Sequence, residues 1–380
     1  MKKLSYFLFL ALFSCGGNEN SESSNSNILE DLTFSVDTVV IDPGEELLVI
    51  SSGYQLKSSS SFSEDNRFLY IFNHQDHVIA KVDLNELKLR DFFSFEKEGP
   101  NGTGPYVQNQ QVLPEEQFLI TGYQSAGVFG RTGTKVQNFN LNTEEFSGLD
   151  ENTPFGNQLI LASGANWLFS LSGLFNQGGK DLVKLSPSEK TGKLIDLSGL
   201  DIADNYFVAL HSDQGSMFSA PQFNLQEING KLYITTEVTS SLYQYDYQND
   251  SLHLVTFDHQ IVPPAKTGKL KKEVTSRDEF NDEMLKSSSQ VSFEKLLWDE
   301  KTNRFFRLGR KVLRDDPSDA NSYSFEYYLF VYDKELNLLG EKYLDGVTDQ
   351  LAFYFLKEGK LWSYVNVEDE LGFAVFTFDF

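Results

Sequence analysis

Short apolar runs alternate with polar turns along most of this chain, and within the runs the alternation has the period of a pleated strand. Residues 68–72 (Phe-Leu-Tyr-Ile-Phe) form a β-prone run, 73–77 a polar turn, 78–84 a second run, 85–86 a turn, and 87–95 a third run. The same order of strand, turn, strand ending near an Asp, turn, strand returns at 231–235, 241–246 and 252–257, at 304–308, 327–333 and 338–344, and at 167–171, 181–185 and 193–197. Fainter copies open at 118–121, with 136–141 as a third strand, and at 361–365, followed by 373–380. Asn, Asp and Gly between the runs are hairpin chemistry. A preceding strand fits each copy, for example 291–298 and 351–356. This predicts six units of four strands, starting near residues 54, 106, 155, 215, 290 and 350.

Radially arranged four-stranded sheets at such a repeat are β-propeller blades. The fold class expected is therefore all-β, a propeller of six four-stranded blades. The last unit is one outer strand short, and the strand-like segment 33–41 is expected to supply it, closing the ring with an N-terminal strand. A large β-sandwich, two smaller β domains, or a seventh blade are the competing architectures.

The first residues read differently. Lys2 and Lys3 precede an apolar run at 4–13, which is too short to span a bilayer as a helix. Leu12-Phe13-Ser14-Cys15 closes it and resembles the lipobox of bacterial lipoproteins. That resemblance implies cleavage before Cys15, a diacylglycerol on its thiol, and acylation of the new amine by chains such as palmitate. Cys15 is the single cysteine, so no intramolecular disulfide can form. Two or three acyl chains, at about 0.8 kcal/mol per buried CH₂, give lasting attachment. The organisation expected is a signal peptide at 1–14, a Gly/Asn/Ser/Glu-rich flexible tether at 15–31, and the propeller domain at 32–380. Glu19 and Glu22 weakly resemble the acidic residues that direct Bacteroidota lipoproteins to the cell surface. The expected location is thus the cell envelope as an outer-membrane lipoprotein, on its periplasmic face or at the cell surface.

Charge narrows the partners. The formal net charge is −23, and loss of Lys2 and Lys3 makes the remainder more negative still. Such a chain repels nucleic acid and anionic head groups, so the membrane is reached through the lipid anchor only. Aromatic residues make up 14 %, with Phe 33 and Tyr 17, which suits strands better than helices.

Candidate chemistry is sparse. Residues 98–106 (Glu-Gly-Pro-Asn-Gly-Thr-Gly-Pro-Tyr) join the first two units. This loop resembles the Gly-Pro loop of a Bacteroidota six-bladed propeller lipoprotein family of unknown function. It is not a phosphate cradle, because neither a Lys-Ser/Thr pair nor a helix follows. An insertion at about 263–289 carries Lys266, Lys269, Lys271 and Lys272. It also carries a short helix near 277–286 capped by Ser276 and Glu279, and a lid over the channel is one reading of it. His74 and His77 have metal-pair spacing but sit with Asp76 on a turn, and 315–321 is an acidic loop without the Gly and Glu of an EF-hand. Residues 122–127 do not make a nucleophile elbow. Asp37-Thr38-Val39 and Asp250-Ser251-Leu252 resemble the Bacteroidota O-glycosylation pattern, with Ser251 in a turn and Thr38 on a strand that pairs.

No catalytic residue, resident metal or cofactor is called for. The function expected is a non-catalytic binding or scaffolding module for an envelope protein, peptide or glycan. The alternative is a metal-dependent hydrolase or lyase of the lactonase-like propeller type, for which Glu294, Asp299, His211 and Asp213 are the kind of residue required. A purely structural envelope role is the third possibility.

Overall fold

Tight turns on residues that tolerate a left-handed backbone separate the strands: Asn66, Asn229 and Asn303 have φ near 50° and Gly230 and Gly359 near 75–80°. The computed structural model describes residues 27–48, 50, 52–122, 125–150, 153, 155–162, 167–173, 180–212, 215–315 and 322–380. Cys15, Asp213 and residues 316–321 of the acidic loop lie outside them.

Strand β1 spans Thr33–Val40 and helix α1 spans Gly53–Ser59. Sheet one follows as β2 (Ser60–Phe62), β3 (Phe68–Asn73), β4 (Val78–Asp83) and β5 (Lys88–Ser94). Sheet two is β6 (Asn109–Leu113), β7 (Gln117–Thr121), β8 (Ser125–Phe129) and β9 (Lys135–Asn140). Sheet three is β10 (Phe155–Leu161), β11 (Leu168–Ser172), β12 (Leu182–Ser186) and β13 (Thr191–Ile195). Next come β14 (Val208–Ser212) and β15 (Gly215–Ser219), then sheet four as β16 (Phe223–Ile228), β17 (Lys231–Thr236), β18 (Thr239–Asp246) and β19 (Ser251–Val255). The insertion holds β20 (Glu273–Val274) and helix α2 (Arg277–Ser288). Sheet five is β21 (Ser292–Asp299), β22 (Arg304–Arg314), β23 (Tyr323–Tyr332) and β24 (Leu338–Tyr343). Sheet six is β25 (Tyr354–Lys357), β26 (Lys360–Val367) and β27 (Glu370–Asp379), with β1 as its fourth strand.

The protein is all-β, and its described residues form six four-stranded antiparallel sheets and one three-stranded sheet. β1 pairs with β27 from Thr33↔Asp379 to Val40↔Gly372, so strands from the two ends of the described chain share a sheet. The three-stranded sheet, β15-β14-β20, corrects one sequence expectation: the segment near 215 belongs to it, and sheet four begins at Phe223. A second difference is α1, a helix where the first unit was expected to begin.

Each pair of successive sheets encloses its own apolar cluster. Phe72, Phe93, Phe118 and Phe129 fill the space between sheets one and two. Leu119, Val128, Leu168 and Val183 do so between two and three, and Tyr233, Phe293, Phe305 and Phe330 between four and five. Leu69, Ile71, Phe355, Trp362 and Phe373 bring sheets one and six together. Each large side chain buried this way contributes about 1.5–3 kcal/mol.

Between first strands, the packing is reinforced by side-chain amides. Gln111 of β6 donates to Leu161 O (3.0 Å) and accepts from Leu161 N (2.9 Å) on β10. Gln158 of β10 does the same to Phe223 O (3.3 Å) and Leu225 N (3.0 Å) on β16. Gln226 of β16 donates to Leu296 O (3.1 Å) on β21. Each amide stands in for a missing strand residue, satisfying backbone groups that face a neighbouring sheet rather than a ladder partner.

Candidate functional site

The inner strand of sheet five is irregular. Register along β21 and β22 shifts between Phe293 and Leu296, which places Glu294 and Lys295 in a bulge. Bulges re-aim side chains and are frequent beside functional sites. Arg307, fully buried, holds this one: its Nε donates to Glu294 O (2.6 Å), and its guanidinium also reaches the carbonyls of Ser240, Thr236 and Thr239 in sheet four. Burial pushes its pKa down to about 10, and its ordinary value is high enough to keep the charge.

The Glu294 carboxylate lies 3.2 Å from Arg310 Nε and bonds the buried Tyr354 hydroxyl of sheet six. The Arg310 Nε–H is not aligned on that oxygen and has no hydrogen-bond partner, so the contact is an ion pair only. Burial raises the Tyr354 pKa well above its ordinary value, with Glu294 adding to the effect. Tyr354 is therefore a donor here and not a base.

Helix α1 brings a cation to the same place. Ser52 caps it by accepting from Gln55 N (3.2 Å), and Leu56 buries its side chain in the cluster between sheets one and six. Gly53 lets it sit tight, because a Cβ there would lie 2.6 Å from Ala352 Cβ. From the exposed face Lys57 Nζ donates to Gln222 Oε1 (3.0 Å), just before sheet four. Sheets one and four are not neighbours in the succession, so this bond joins distant parts of the fold. Gln222 is itself positioned by its N–H to Glu237 Oε1 (3.0 Å).

Lys295 completes the group. Among the described residues its ammonium has no hydrogen-bond or ion-pair partner. Burial and then the nearby Lys57 charge push its pKa down to about 8, against the pull of Glu294. Arg310 and Lys295 thus act on the one Glu294 carboxylate in a strongly acidic protein, with Lys57 within electrostatic reach of Lys295. Such a group can hold an anion by charge-assisted hydrogen bonds.

The other sequence candidates fall elsewhere. Asp299 sits at the far end of β21, about 15 Å of strand from Glu294, where it accepts from Thr302 and Gly359 N. His211 is exposed, with Nδ1 3.0 Å from Ser216 Oγ. Among the described residues, no three His, Cys, Asp or Glu side chains are grouped to hold a metal. His74 and His77 part company. His77 is buried with Nε2 2.6 Å from Thr103 Oγ1 of the Gly-Pro loop, and its pKa is lowered chiefly by burial. That loop is knit internally, Thr103 N donating to Glu96 O and Gly104 N to Lys97 O, and it leaves Tyr106 exposed.

Helix α2 forms as expected, with Ser276 Oγ accepting from Glu279 N (3.2 Å). Lys271 pairs with Glu279 (3.3 Å), Lys286 donates to Lys269 O (3.0 Å), and Lys266 is buried against Ser287 Oγ (3.0 Å), so much of the basic run folds back onto α2. Of the two O-glycosylation candidates, Thr38 is exposed although its strand pairs, because backbone pairing leaves the side chain outside the ladder. Ser251 opens β19 and keeps its Oγ 2.8 Å from His253 Nε2.

A cleft of about 400 Å³ lies among the turns of sheets five, six and one, lined by Arg67, Trp298, Asp299 and Lys357. Its charges are largely engaged, Arg67 with Asp83 (2.9 Å) and Lys357 with Glu358 (2.9 Å), which is turn chemistry.

One solved structure shares the architecture. A crystal structure of a DUF4221 family member from Bacteroides vulgatus aligns with TM-score 0.66 at 14 % identity, over 92 % of this chain and 98 % of that one. A putative exported protein of Bacteroides fragilis aligns with TM-score 0.49 at 9 % identity, over 91 % and 95 %. The extracellular domain of a putative one-component system of B. thetaiotaomicron aligns with TM-score 0.43 at 12 % identity, over 85 % of this chain and 33 % of that one. None of the curated proteins matches. The family model described as a domain of unknown function, DUF4221, matches residues 25–343, most of the chain, and the protein belongs to that family.

Proposed function

We propose that this protein is a lipid-anchored cell-envelope lipoprotein whose domain is a six-bladed β-propeller, closed by its N-terminal strand, and that it acts as a non-catalytic binding module. The observation that carries the binding reading is the gathering of Glu294, Lys295, Arg310 and Tyr354, from sheets five and six, at one bulge, with Lys57 of α1 within electrostatic reach of Lys295. Ring closure is supported by the packing of sheet one against sheet six, where Phe62 lies over Phe353 and Phe355 (5.9 and 4.6 Å between centroids), and by the β1–β27 pairing. Lipid attachment is supported by the residues of the leader, above all Ser14-Cys15 after the apolar run. The metal-dependent alternative needs carboxylates or imidazoles around one point, and Glu294, Asp299 and His211 lie apart.

Three measurements test this. Cells fed labelled palmitate should label the wild type and not Cys15→Ser, and the variant should leave the membrane fraction. Label or membrane retention in the variant would remove the anchor. Crosslinking on intact cells and a glycan array with the detergent-solubilised protein should then return a partner. Silence in both, or a stoichiometric metal in the purified protein together with hydrolysis of a lactone, would overturn the binding reading.

A further inference from the structure

Strand β1 has one edge committed to β27 and one edge open. Ile41 N donates to Leu371 O (2.9 Å), one step past the β1–β27 ladder and in register with it. In an antiparallel pair, alternate residues turn both backbone groups toward the partner. Thr33, Ser35, Asp37 and Val39 therefore face β27, and Phe34, Val36, Thr38 and Val40 turn their N–H and C=O groups outward. Asp42, next in that outward row, bonds sheet one, its N–H donating to Leu87 O (2.8 Å) and its carbonyl accepting from Leu89 N (3.0 Å). Among the described residues, nothing pairs with the four before it. Other outer strands are bridged: β5 by Asp42, β13 by Ser147, and β24 by Asn27 and Ile28. At eight residues β1 is also longer than any other outer strand among the described residues. Its Val36 and Val40 side chains are 48 % and 38 % exposed, so the edge is open to a macromolecule.

Charge selects what the edge can take. Residues 27–46 hold Glu30, Asp31, Asp37, Asp42, Glu45 and Glu46 and no Lys or Arg. None of these carboxylates has an ion-pair partner among the described residues, and Lys342 meets the backbone carbonyl of Glu30 rather than its side chain. A second copy of this chain would bring those charges against themselves. In the pairing that sets Val36 against Thr38 it would place Asp37 opposite Asp37, which is destabilising. A basic strand meets attraction instead. We propose that the outer edge of β1 takes up an extended, basic segment of a partner protein as a further strand of sheet six, with Lys or Arg opposite Asp37. Backbone hydrogen bonds to Val36, Thr38 and Val40 supply affinity, and Asp37 supplies selectivity. On this side Asp37 falls at a non-hydrogen-bonded pair, where facing side chains approach most closely. The surface lies on the opposite edge of sheet six from Tyr354 and needs nothing from the β21 bulge.

Fluorescence anisotropy with the full-length protein in detergent compares three labelled peptides of alternating threonine and valine. One carries a central lysine, one a central glutamate, and one the lysine together with a fully N-methylated backbone. The lysine peptide should bind, and each of the others at least tenfold more weakly. Asp37→Lys should reverse the order of lysine and glutamate. Val36→Pro removes one outward N–H while leaving the bonds to β27, and should keep the Tm and weaken the lysine peptide severalfold. Independently, NMR hydrogen exchange should slow at the Val36, Thr38 and Val40 amides when the lysine peptide is added, and change little at Ser35, Asp37 and Val39. No saturable binding of the lysine peptide, equal binding of lysine and glutamate peptides, full affinity after N-methylation, or an unreversed preference in Asp37→Lys overturns the proposal. Should the peptides fail while crosslinking on intact cells returns a partner, the edge falls and the binding module stands.

Discussion

Single residues hold the sheets in register here, and several were invisible in the sequence. Gln111, Gln158 and Gln226 sit on inner strands and read as solvent-facing polar positions. Their amides instead satisfy the backbone of the next sheet, a long-range pairing that no local pattern encodes. Gln158→Leu keeps the shape but strands Leu225 N–H and Phe223 C=O, and should destabilise by about 1–3 kcal/mol in urea unfolding. Gln226→Leu should cost less, since Gln226 makes one such bond and its Oε1 is already unpaired. Equal losses would show that the second hydrogen bond contributes nothing. His259 also escaped notice. It is buried among Phe257, Phe293, Phe330 and Tyr332 with Nδ1 3.1 Å from Glu341 Oε2. Burial lowers its pKa more than Glu341 raises it. The unfolded chain takes up that proton near pH 6.5. Its contribution is therefore complete above that pH and is lost as pH falls through it toward the folded value. The lowered pKa values of His74 and His77 act in the same direction. The urea midpoint should drop between pH 7 and pH 5, and by less in His259→Gln. An unchanged midpoint would contradict a neutral buried imidazole.

At the scale of elements, legibility followed periodicity. Runs such as 68–72, 231–235 and 304–308 are short apolar stretches bounded by turn residues and fall on β3, β17 and β22. α2 announced itself by Ser276 and Glu279. α1 did not, because seven residues of Gly, Ser, Tyr, Gln, Leu and Lys carry too little pattern, and what fixes the helix is tertiary: Leu56 in a core and Gly53 against Ala352. The bulge was equally hidden, since Val291 to Trp298 reads as an unbroken strand; the register shift is decided by Arg307 and the facing sheet. Glu294 was singled out as a candidate on its type alone, and Lys295 beside it was not, because its significance comes from Lys57, far away in sequence. Gly53→Ala should force α1 away from sheet six and cost about 1–3 kcal/mol, seen as a lowered Tm. A normal Tm would mean that Ala352 yields without cost.

For the whole molecule, charge and strand content set the class and the packing of successive sheets sets the architecture. The six-unit reading located its strands well but misassigned the segment near 215, where β14 and β15 recruit β20 from the insertion in parallel; a pairing across so many intervening residues leaves no trace in local alternation. The N-terminal strand is the element on which the whole depends. Removing residues 27–40 strips sheet six of its outer strand and Leu29 from the core beside sheet five, and should turn a cooperative unfolding transition into a broad one with aggregation by size-exclusion. Retention of a sharp transition at the same temperature would show β1 to be an accessory. That pairing also has a meaning in time. Among the described strands β1 leaves the ribosome first and its neighbour β27 last, so β1 waits through the whole of synthesis without its native partner. Contacts of such sequence separation form slowly. A chain cut short anywhere before β27 can never satisfy β1 and keeps a raw strand edge on view. Only a chain that includes β27 can cover the β1 edge that faces it.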